Sequence, residues 1–157
     1  MKCQGCCRFR ESDSVWLPCL LEEEIQDLLD KNIPAVSISI ERKIQPVANP
    51  KGDGFICAFF DIAANECKIY ESRPFECQLY PFLLNLRDKS VILTVDLNCP
   101  YLTDKLNTPE FKKYTQELVA YLNAPKQISL LKNNPHILQA YEDLGKTIEL
   151  KLSDEIK

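Results

Sequence analysis

The 157-residue sequence predicts an α+β fold, with a small cysteine-rich core of short strands or hairpins followed by a helical C-terminal part. Runs of β-forming residues, separated by turn residues, occupy much of the first hundred positions. The remainder carries helix-start signals and helical spacing. All eight cysteines lie before residue 100. We therefore expect a cysteine-rich region over residues 1–100 and a helical region over residues 101–157, packed together as a single domain.

The first fifty residues predict one helix, one strand and a loop. Four apolar residues at helical spacing predict a helix over 21–31, which Pro34 closes. The acidic run Glu22–Glu24 in its first turn is most simply a solvated helix start. Strict alternation over 36–40 predicts a half-buried strand, and the prolines and glycines of 46–54 predict a loop.

Short extended segments are predicted between these elements and the C-terminal part. Residues 55–60 are rich in β-formers, and 64–66 form a turn before the next cysteine. An Arg-Pro step then begins a short turn or helix that carries Cys77. The apolar runs 82–86 and 91–97 flank a polar tetrapeptide and predict a hairpin.

Two helices are predicted in the C-terminal part. Thr108 is a good N-cap, and the proline after it suits the first helical position. The same signal recurs at Asn134-Pro135, and Gly145 would end that second helix. The residues predicted to form the buried face of the first helix are Phe111, Tyr114, Leu118, Tyr121 and Leu122.

Charge and hydropathy exclude several classes of function. The net charge is −4, from 19 basic and 23 acidic residues, and no basic stripe stands out, which disfavours a nucleic-acid-binding protein. No apolar run approaches the roughly 18 residues needed to cross a bilayer. The N-terminus shows no apolar segment typical of an export signal, so we expect a cytoplasmic protein.

The cysteines indicate metal binding more than disulfides. In a reducing cytoplasm, dense cysteines are typically metal ligands or catalytic groups, whereas a disulfide framework is typical of exported domains. His136 is the only histidine, so a metal site would be mostly or wholly sulfur. Thiolate sites select Zn(II), Cu(I) or iron–sulfur clusters over hard cations.

Cysteine spacing suggests that the eight are divided between roles. Cys3-x2-Cys6 lets two sulfurs reach one metal from a tight turn, while the adjacent Cys7 side chain is expected to diverge from Cys6. If the turn centres on residues 64–65, Cys67 lies opposite residue 62 and about 16 Å from Cys57 along a strand. These two cysteines then share no zinc ion, unless the segment between them folds back. Up to two four-cysteine sites are possible.

The strongest motif runs from Cys67 to Phe82 and reads CKIYESRPFECQLYPF. Together with the N-terminal Cys3-Gln4-Gly5-Cys6-Cys7 and the run from Phe55 to Asp61, it resembles the CxxCxxCC family of zinc- or iron-chelating domains. The family pattern has eight cysteines and a C-x-IYE-x-RP-x-x-C-x-x-YPF core. The resemblance covers about residues 3–100.

The resemblance implies that the cysteines hold a [4Fe–4S] cluster or zinc. A cluster is favoured because its larger span tolerates scattered sulfur ligands. The simplest single site combines the N-terminal cysteines with the core between Cys57 and Cys77. The candidate ligands are Cys3, Cys6, Cys7, Cys19, Cys57, Cys67, Cys77 and Cys99. For Cys19, Cys57 and Cys99, burial as ordinary core residues is the alternative.

Three residues of the motif are candidates for a supporting layer around the metal. Arg73 would offset thiolate charge and donate hydrogen bonds to sulfur. Tyr70 and Tyr80 would exclude water, or else are ordinary packing residues.

The resemblance also implies two alternative functions. A related domain occurs in flagellin lysine methylase, where the cysteines hold a [4Fe–4S] cluster used with S-adenosylmethionine, which implies a protein methyltransferase. The second alternative is a structural zinc or metal-carrier module that binds a protein partner through the helical C-terminal region.

Overall fold

The computed structural model describes residues 6–88, 90–102 and 104–141, together with the backbone of 149–151. Short antiparallel strands combine with helices that lie mostly in the C-terminal half, so the predicted α+β class is confirmed. The chain divides into two compact units, Met1–Leu79 and Tyr80–Lys157. The predicted boundary of the cysteine-rich region near residue 100 stays a prediction.

The first unit contains a three-stranded antiparallel sheet and a short hairpin. The sheet has the order β1-β3-β2, with Phe9 opposite Phe55 and Val47 opposite Ile56. The hairpin pairs β4 with β5. The strands are β1 Arg8–Phe9, β2 Pro46–Ala48, β3 Phe55–Cys57, β4 Phe60–Asp61 and β5 Glu66–Cys67. The loop predicted over 46–54 is therefore only partly right, because β2 occupies the first three residues of this segment.

Gly54 allows β1 and β3 to approach each other. Its φ is +79°, which favours glycine, and a Cβ at this position would lie 2.5 Å from the Phe9 carbonyl oxygen. The Gly54 carbonyl accepts a hydrogen bond from the Asn49 N–H at 3.0 Å. The start of β3 is thus fixed against both of its neighbours in the sheet.

Two α-helices complete the first unit, α1 (Glu22–Asp30) and α2 (Phe75–Leu79). The helix predicted over 21–31 is confirmed, and so is the short helix predicted around Cys77. The strand predicted over 36–40 is wrong, since Ala35–Ser37 is a 3-10 turn. The Ser37 N–H donates to the Pro34 carbonyl at 2.8 Å, and the predicted strand is reduced to one antiparallel bridge between Ile38 and Ile44.

The core of the first unit lies between α1 and the strands. Apart from Cys57, its buried members are aliphatic and aromatic residues. Its buried members are Phe9, Leu17, Leu20, Leu28, Ile44, Ile56, Cys57, Phe59 and Phe60. Cys57 is thus buried among apolar side chains, which exclude water from its thiol.

The second unit is built on the antiparallel sheet β6-β7-β8. Strands β6 (Phe82–Arg87) and β7 (Ser90–Val95) form the predicted hairpin, with Phe82 opposite Val95. Strand β8 (Glu149–Lys151) pairs with β7 and was not predicted. Phe82 is almost fully buried, and its ring stacks on Phe111 with centroids 5.7 Å apart.

Two α-helices belong to the second unit, α3 (Pro109–Leu122) and α4 (Pro125–Asn133). The predicted cap of α3 is confirmed, since the Thr108 side chain accepts a hydrogen bond from the Phe111 N–H at 3.2 Å. Two residues of its predicted buried face, Tyr114 and Tyr121, are about half exposed.

The second helix predicted for the C-terminal part is misplaced. The start predicted at Asn134-Pro135 gives only the 3-10 turn Pro135–Ile137, while α4 begins ten residues earlier. Gly145 lies outside the described residues. Within the described residues, no helix is long and apolar enough to cross a membrane.

Candidate metal centre

Four cysteine thiols of the first unit lie close enough to interact electrostatically. Burial, with the neighbouring Cys67 and Cys6 thiols, raises the pKa of Cys57 to about 11. Burial also raises the pKa of Cys77 well above its usual range, and Cys57, Cys6, Glu76 and Cys67 add to that rise. Each of these two buried thiols therefore interacts with the other three members of one cluster, which we call the thiol cluster (Cys6, Cys57, Cys67 and Cys77).

Pairing between β1 and β3 brings Cys6 to this cluster. The Cys57 N–H donates to the Cys7 carbonyl at 3.0 Å, which extends the ladder by one residue beyond Arg8. The Cys7 side chain packs against the hydrophobic core, whereas Cys6 interacts with Cys57 and Cys77. The side chains of Cys6 and Cys7 thus lie in different surroundings, as predicted from their adjacent positions in the sequence.

The hairpin β4–β5 brings Cys67 to the same cluster. The predicted register is wrong: Cys67 lies opposite Phe60 and not opposite residue 62. The chain turns at residues 58–59, between β3 and β4, so Cys57 and Cys67 do not lie along one straight strand. The separation predicted from a straight strand therefore does not apply, and the two thiols interact.

Helix α2 carries Cys77, and two carboxylates connect this helix to the segment around α1. Glu24 accepts hydrogen bonds from the Leu21 N–H at 2.9 Å and from the Phe75 N–H at 2.6 Å. Glu76 accepts a hydrogen bond from the Cys19 N–H at 2.7 Å. Burial raises the pKa of Glu24, so its side chain is not the solvated helix start that the sequence suggested.

The sequence does not predict that Glu24 binds the starts of two helices, because only half of a capping box is present. The usual signal is Ser or Thr at the N-cap, followed three residues later by Glu. Leu21 holds the N-cap position, and its side chain offers no acceptor. The reciprocal bond from Glu24 to the Leu21 N–H nevertheless forms. Nothing local in the sequence links Glu24 to Phe75, 51 residues away.

The donor set of the thiol cluster fits a thiophilic metal group. Zinc and iron–sulfur clusters are both commonly held by four cysteine thiolates. Across residues 6–88, 90–102 and 104–141, however, no three His, Cys, Asp or Glu side chains are arranged to hold a metal ion directly. The described side chains of the thiol cluster are therefore not arranged as a ready site for a single metal ion.

The other four candidate ligands have different surroundings. Cys3 lies outside the described residues, and Cys7 packs against the core. Burial, followed by Glu76, raises the pKa of Cys19 to about 12. Cys99 is buried in the second unit, where its N–H donates to the Asp96 carbonyl at 3.2 Å. Ligand roles for these four stay predictions.

The predicted supporting residues make contacts of their own. The Arg73 guanidinium carbon lies 4.4 Å from the centroid of the Tyr70 ring, and Tyr70 is 45% exposed. The Tyr80 hydroxyl belongs to the second unit and donates to the Asp96 carboxylate at 3.1 Å. Supporting roles for these three residues at a metal stay predictions.

Comparison with known proteins gives one family. Residues 1–107 match the CxxCxxCC family, described as "Putative zinc- or iron-chelating domain". The chain belongs to the CxxCxxCC family. This CxxCxxCC protein contains all eight of its cysteines within the matched range. Membership supports metal binding by the chain, which agrees with the all-sulfur donor set of the thiol cluster.

One relative of this CxxCxxCC protein is an uncharacterised protein of Methanocaldococcus jannaschii. It is 35% identical over 72 residues, which cover 42% of this chain and 40% of the relative. The match thus spans about two-fifths of the relative's length. No solved structure gives a significant match.

Proposed function

We propose that the protein chelates a [4Fe–4S] cluster through the thiolates of Cys6, Cys57, Cys67 and Cys77. The observation that carries the proposal is that the β1–β3 pairing, the β4–β5 hairpin and α2 bring four cysteines together. The Cys57 N–H donates to the carbonyl of Cys7, next to Cys6, and Cys57 and Cys77 each have the other cluster thiols as neighbours. Four thiols that approach one another this way repel once ionised, so a bound cationic group would stabilise all four thiolates together.

The arrangement of the described side chains favours a cluster over a single zinc ion. Zinc–sulfur bonds of about 2.3 Å require neighbouring sulfurs about 3.8 Å apart in a tetrahedron. The described side chains contain no group arranged for direct binding of one ion. A cluster has four metal atoms and reaches sulfurs that stand farther apart.

One side of the thiol cluster is shielded from water. Cys57 belongs to the hydrophobic core of the first unit, together with Phe59 and Phe60, whereas Cys6, Cys67 and Cys77 are partly exposed. Burial of the ligand sulfurs and low local polarity are among the features that set the reduction potential of iron–sulfur groups. When bound, such a cluster supplies one-electron transfer or Lewis-acid chemistry.

Metal analysis of the protein purified without oxygen tests the proposal. We expect a brown protein with broad visible absorption and about four iron and four sulfide per chain. A colourless protein with one zinc per chain would exclude the cluster and retain chelation. A metal-free protein that binds neither iron and sulfide nor zinc on reconstitution would overturn both.

Serine substitutions test which cysteines bind. Cys6→Ser, Cys57→Ser, Cys67→Ser and Cys77→Ser should each lose metal. Cys7→Ser is the matched control for Cys6→Ser, because the two residues are adjacent and the Cys7 side chain packs on the core. Equal metal loss in Cys6→Ser and Cys7→Ser would contradict the assignment.

Methyl transfer with S-adenosylmethionine is a separate proposal, which rests only on the occurrence of a related cysteine-rich domain in flagellin lysine methylase. Calorimetric titration of the metal-loaded protein with S-adenosylmethionine tests it. Saturable heat supports the enzyme. Its absence favours a metal carrier or a structural module, for which a protein partner of the helical region is also only proposed.

A further inference from the structure

Glu24 connects the starts of two helices that are far apart in sequence. One carboxylate oxygen accepts the Leu21 N–H at the beginning of α1, and the other accepts the Phe75 N–H at the beginning of α2. The Phe75 bond is 2.6 Å long, and charge-assisted bonds of this kind are about twice as strong as neutral ones. Each oxygen of the Glu24 carboxylate therefore accepts a hydrogen bond from the start of a different helix.

Glu76 makes the reverse connection. It lies in α2, next to Cys77, and accepts the Cys19 N–H at 2.7 Å just before α1. The two glutamates thus form a reciprocal clamp, in which each carboxylate binds a backbone N–H of the other segment. This arrangement fixes α2 relative to α1 at two points.

Helix α2 depends on such contacts because it has only five residues. Isolated helices of this length are unstable in water, since nucleation costs more than one turn of hydrogen bonds returns. The first N–H groups of a helix also have no partner inside it. Glu24 provides a partner for the Phe75 N–H, two residues before the thiol-bearing Cys77.

We propose that Glu24 is a positioning residue for the metal centre, which holds α2 so that the Cys77 thiol reaches Cys6, Cys57 and Cys67. The inference rests on the function proposed above. Loss of the Glu24–Phe75 bond releases the start of α2, and the fourth ligand then moves away from the other three.

Glu24→Gln tests the proposal, with Co²⁺ as the probe of the thiol cluster. Glutamine keeps the size of the side chain, but its amide nitrogen cannot accept a hydrogen bond, so one of the two N–H groups loses its partner. We expect Co²⁺ affinity to fall 10- to 100-fold, as is usual when a group that orients a ligand is lost. The sulfur-to-cobalt absorption should weaken as well. Glu23→Gln is the matched control, because Glu23 is the exposed neighbour in the same helical turn.

The outcomes separate this inference from the proposed function. Glu24→Gln with wild-type Co²⁺ affinity overturns the positioning role, even if Cys77→Ser loses Co²⁺ and so supports the metal centre. A wild-type protein that binds neither Co²⁺ nor, on reconstitution, iron and sulfide overturns both. If it takes up only iron and sulfide, Glu24→Gln and Glu23→Gln are compared with it by the iron bound per chain instead. Stability is measured for the metal-free and the Co²⁺-loaded variant, since an equal loss in both forms would also overturn the positioning role.

A second variant covers the case in which Glu24→Gln does not fold. Glu24→Asp keeps the charge and both oxygens on a shorter side chain, so we expect a smaller loss of Co²⁺ affinity than in Glu24→Gln. If Glu24→Gln does not fold, Glu24→Asp is compared with the wild type alone. A side chain shorter by one methylene cannot reach both N–H groups as closely, so reduced affinity supports the proposal and wild-type affinity overturns it.

Discussion

Substitution of Gly54 by alanine should destabilise the first unit by about 3 kcal/mol. An L-residue in the left-handed region costs roughly 1–2 kcal/mol, and Gly54 has a φ of +79°. In addition, the new Cβ would lie 2.5 Å from the Phe9 carbonyl oxygen, so backbone must move. Overpacking of this kind costs roughly 1–3 kcal/mol. The two terms together give the expected loss.

Urea unfolding followed by tryptophan fluorescence measures this loss. Trp16 is the only tryptophan of the chain and lies in the first unit, so its signal reports on the unit that carries the substitution. Gly52→Ala is the matched control: its Cβ would meet the Asn49 side chain at 3.5 Å, an ordinary contact. That variant should be unchanged or slightly more stable, because alanine restricts the unfolded chain.

The result that refutes the reasoning is a Gly54→Ala variant as stable as Gly52→Ala. It would mean that β1 and β3 do not approach as closely as the structure shows. Because Cys6 reaches Cys57 through this strand pairing, we also expect Gly54→Ala to bind metal more weakly than the control.

Three further predictions concern single side chains. Thr108→Ala should cost about 1 kcal/mol, because the cap of α3 is lost; circular dichroism during unfolding measures it, and an unchanged midpoint would contradict the cap. Phe82→Ala should lower the free energy of unfolding by about 3–5 kcal/mol. Leu86→Ala, at a position 38% exposed on the same strand, should lower it far less, and similar losses in the two variants would argue against burial of Phe82 in the core. Carboxyl NMR titration should place the pKa of Glu24 above and that of Asp61 below their ordinary values, because burial raises the first and the Ala64 N–H lowers the second. Ionisation of the buried Glu24 carboxyl therefore lowers the stability as pH rises from its unfolded to its folded pKa, and the hydrogen bonds from Leu21 and Phe75 offset only part of that cost. The stability that Asp61 contributes is present above its unfolded pKa and is lost as pH falls through its folded pKa. A Glu24 pKa at or below its ordinary value, or an Asp61 pKa at or above its own, would refute that assignment.

Elements with a strong local signal were predictable from the sequence. The helix over Glu22–Asp30 follows from apolar spacing and a closing proline, and the start of α3 follows from Thr108 and its proline. The strand predicted over 36–40 failed because alternation does not encode the 3-10 turn at Ala35–Ser37, which leaves only one bridge, between Ile38 and Ile44. Ile40 is in fact fully exposed.

The thiol cluster was only partly predictable for a related reason. Its composition followed from the cysteine count and the family motif, but the grouping depends on how distant segments meet. A shift of two residues in the β4–β5 register changed which residue faces Cys67. The bond between Glu24 and Phe75 joins positions 51 residues apart, and no local pattern encodes such a contact.

The thiol cluster draws its members from both ends of the first unit, which gives a bound metal group a mechanical consequence. Cys6 belongs to the N-terminal segment, and the other three sulfurs lie at residues 57–77. A group held by all four would act as a covalent cross-link that closes a loop of about 50 residues between Cys6 and Cys57. By analogy with a disulfide across such a loop, the reduced entropy of the unfolded chain is worth about 4 kcal/mol. Loss of the metal group would thus remove the cross-link between Cys6 and Cys57 and destabilise the fold of the first unit.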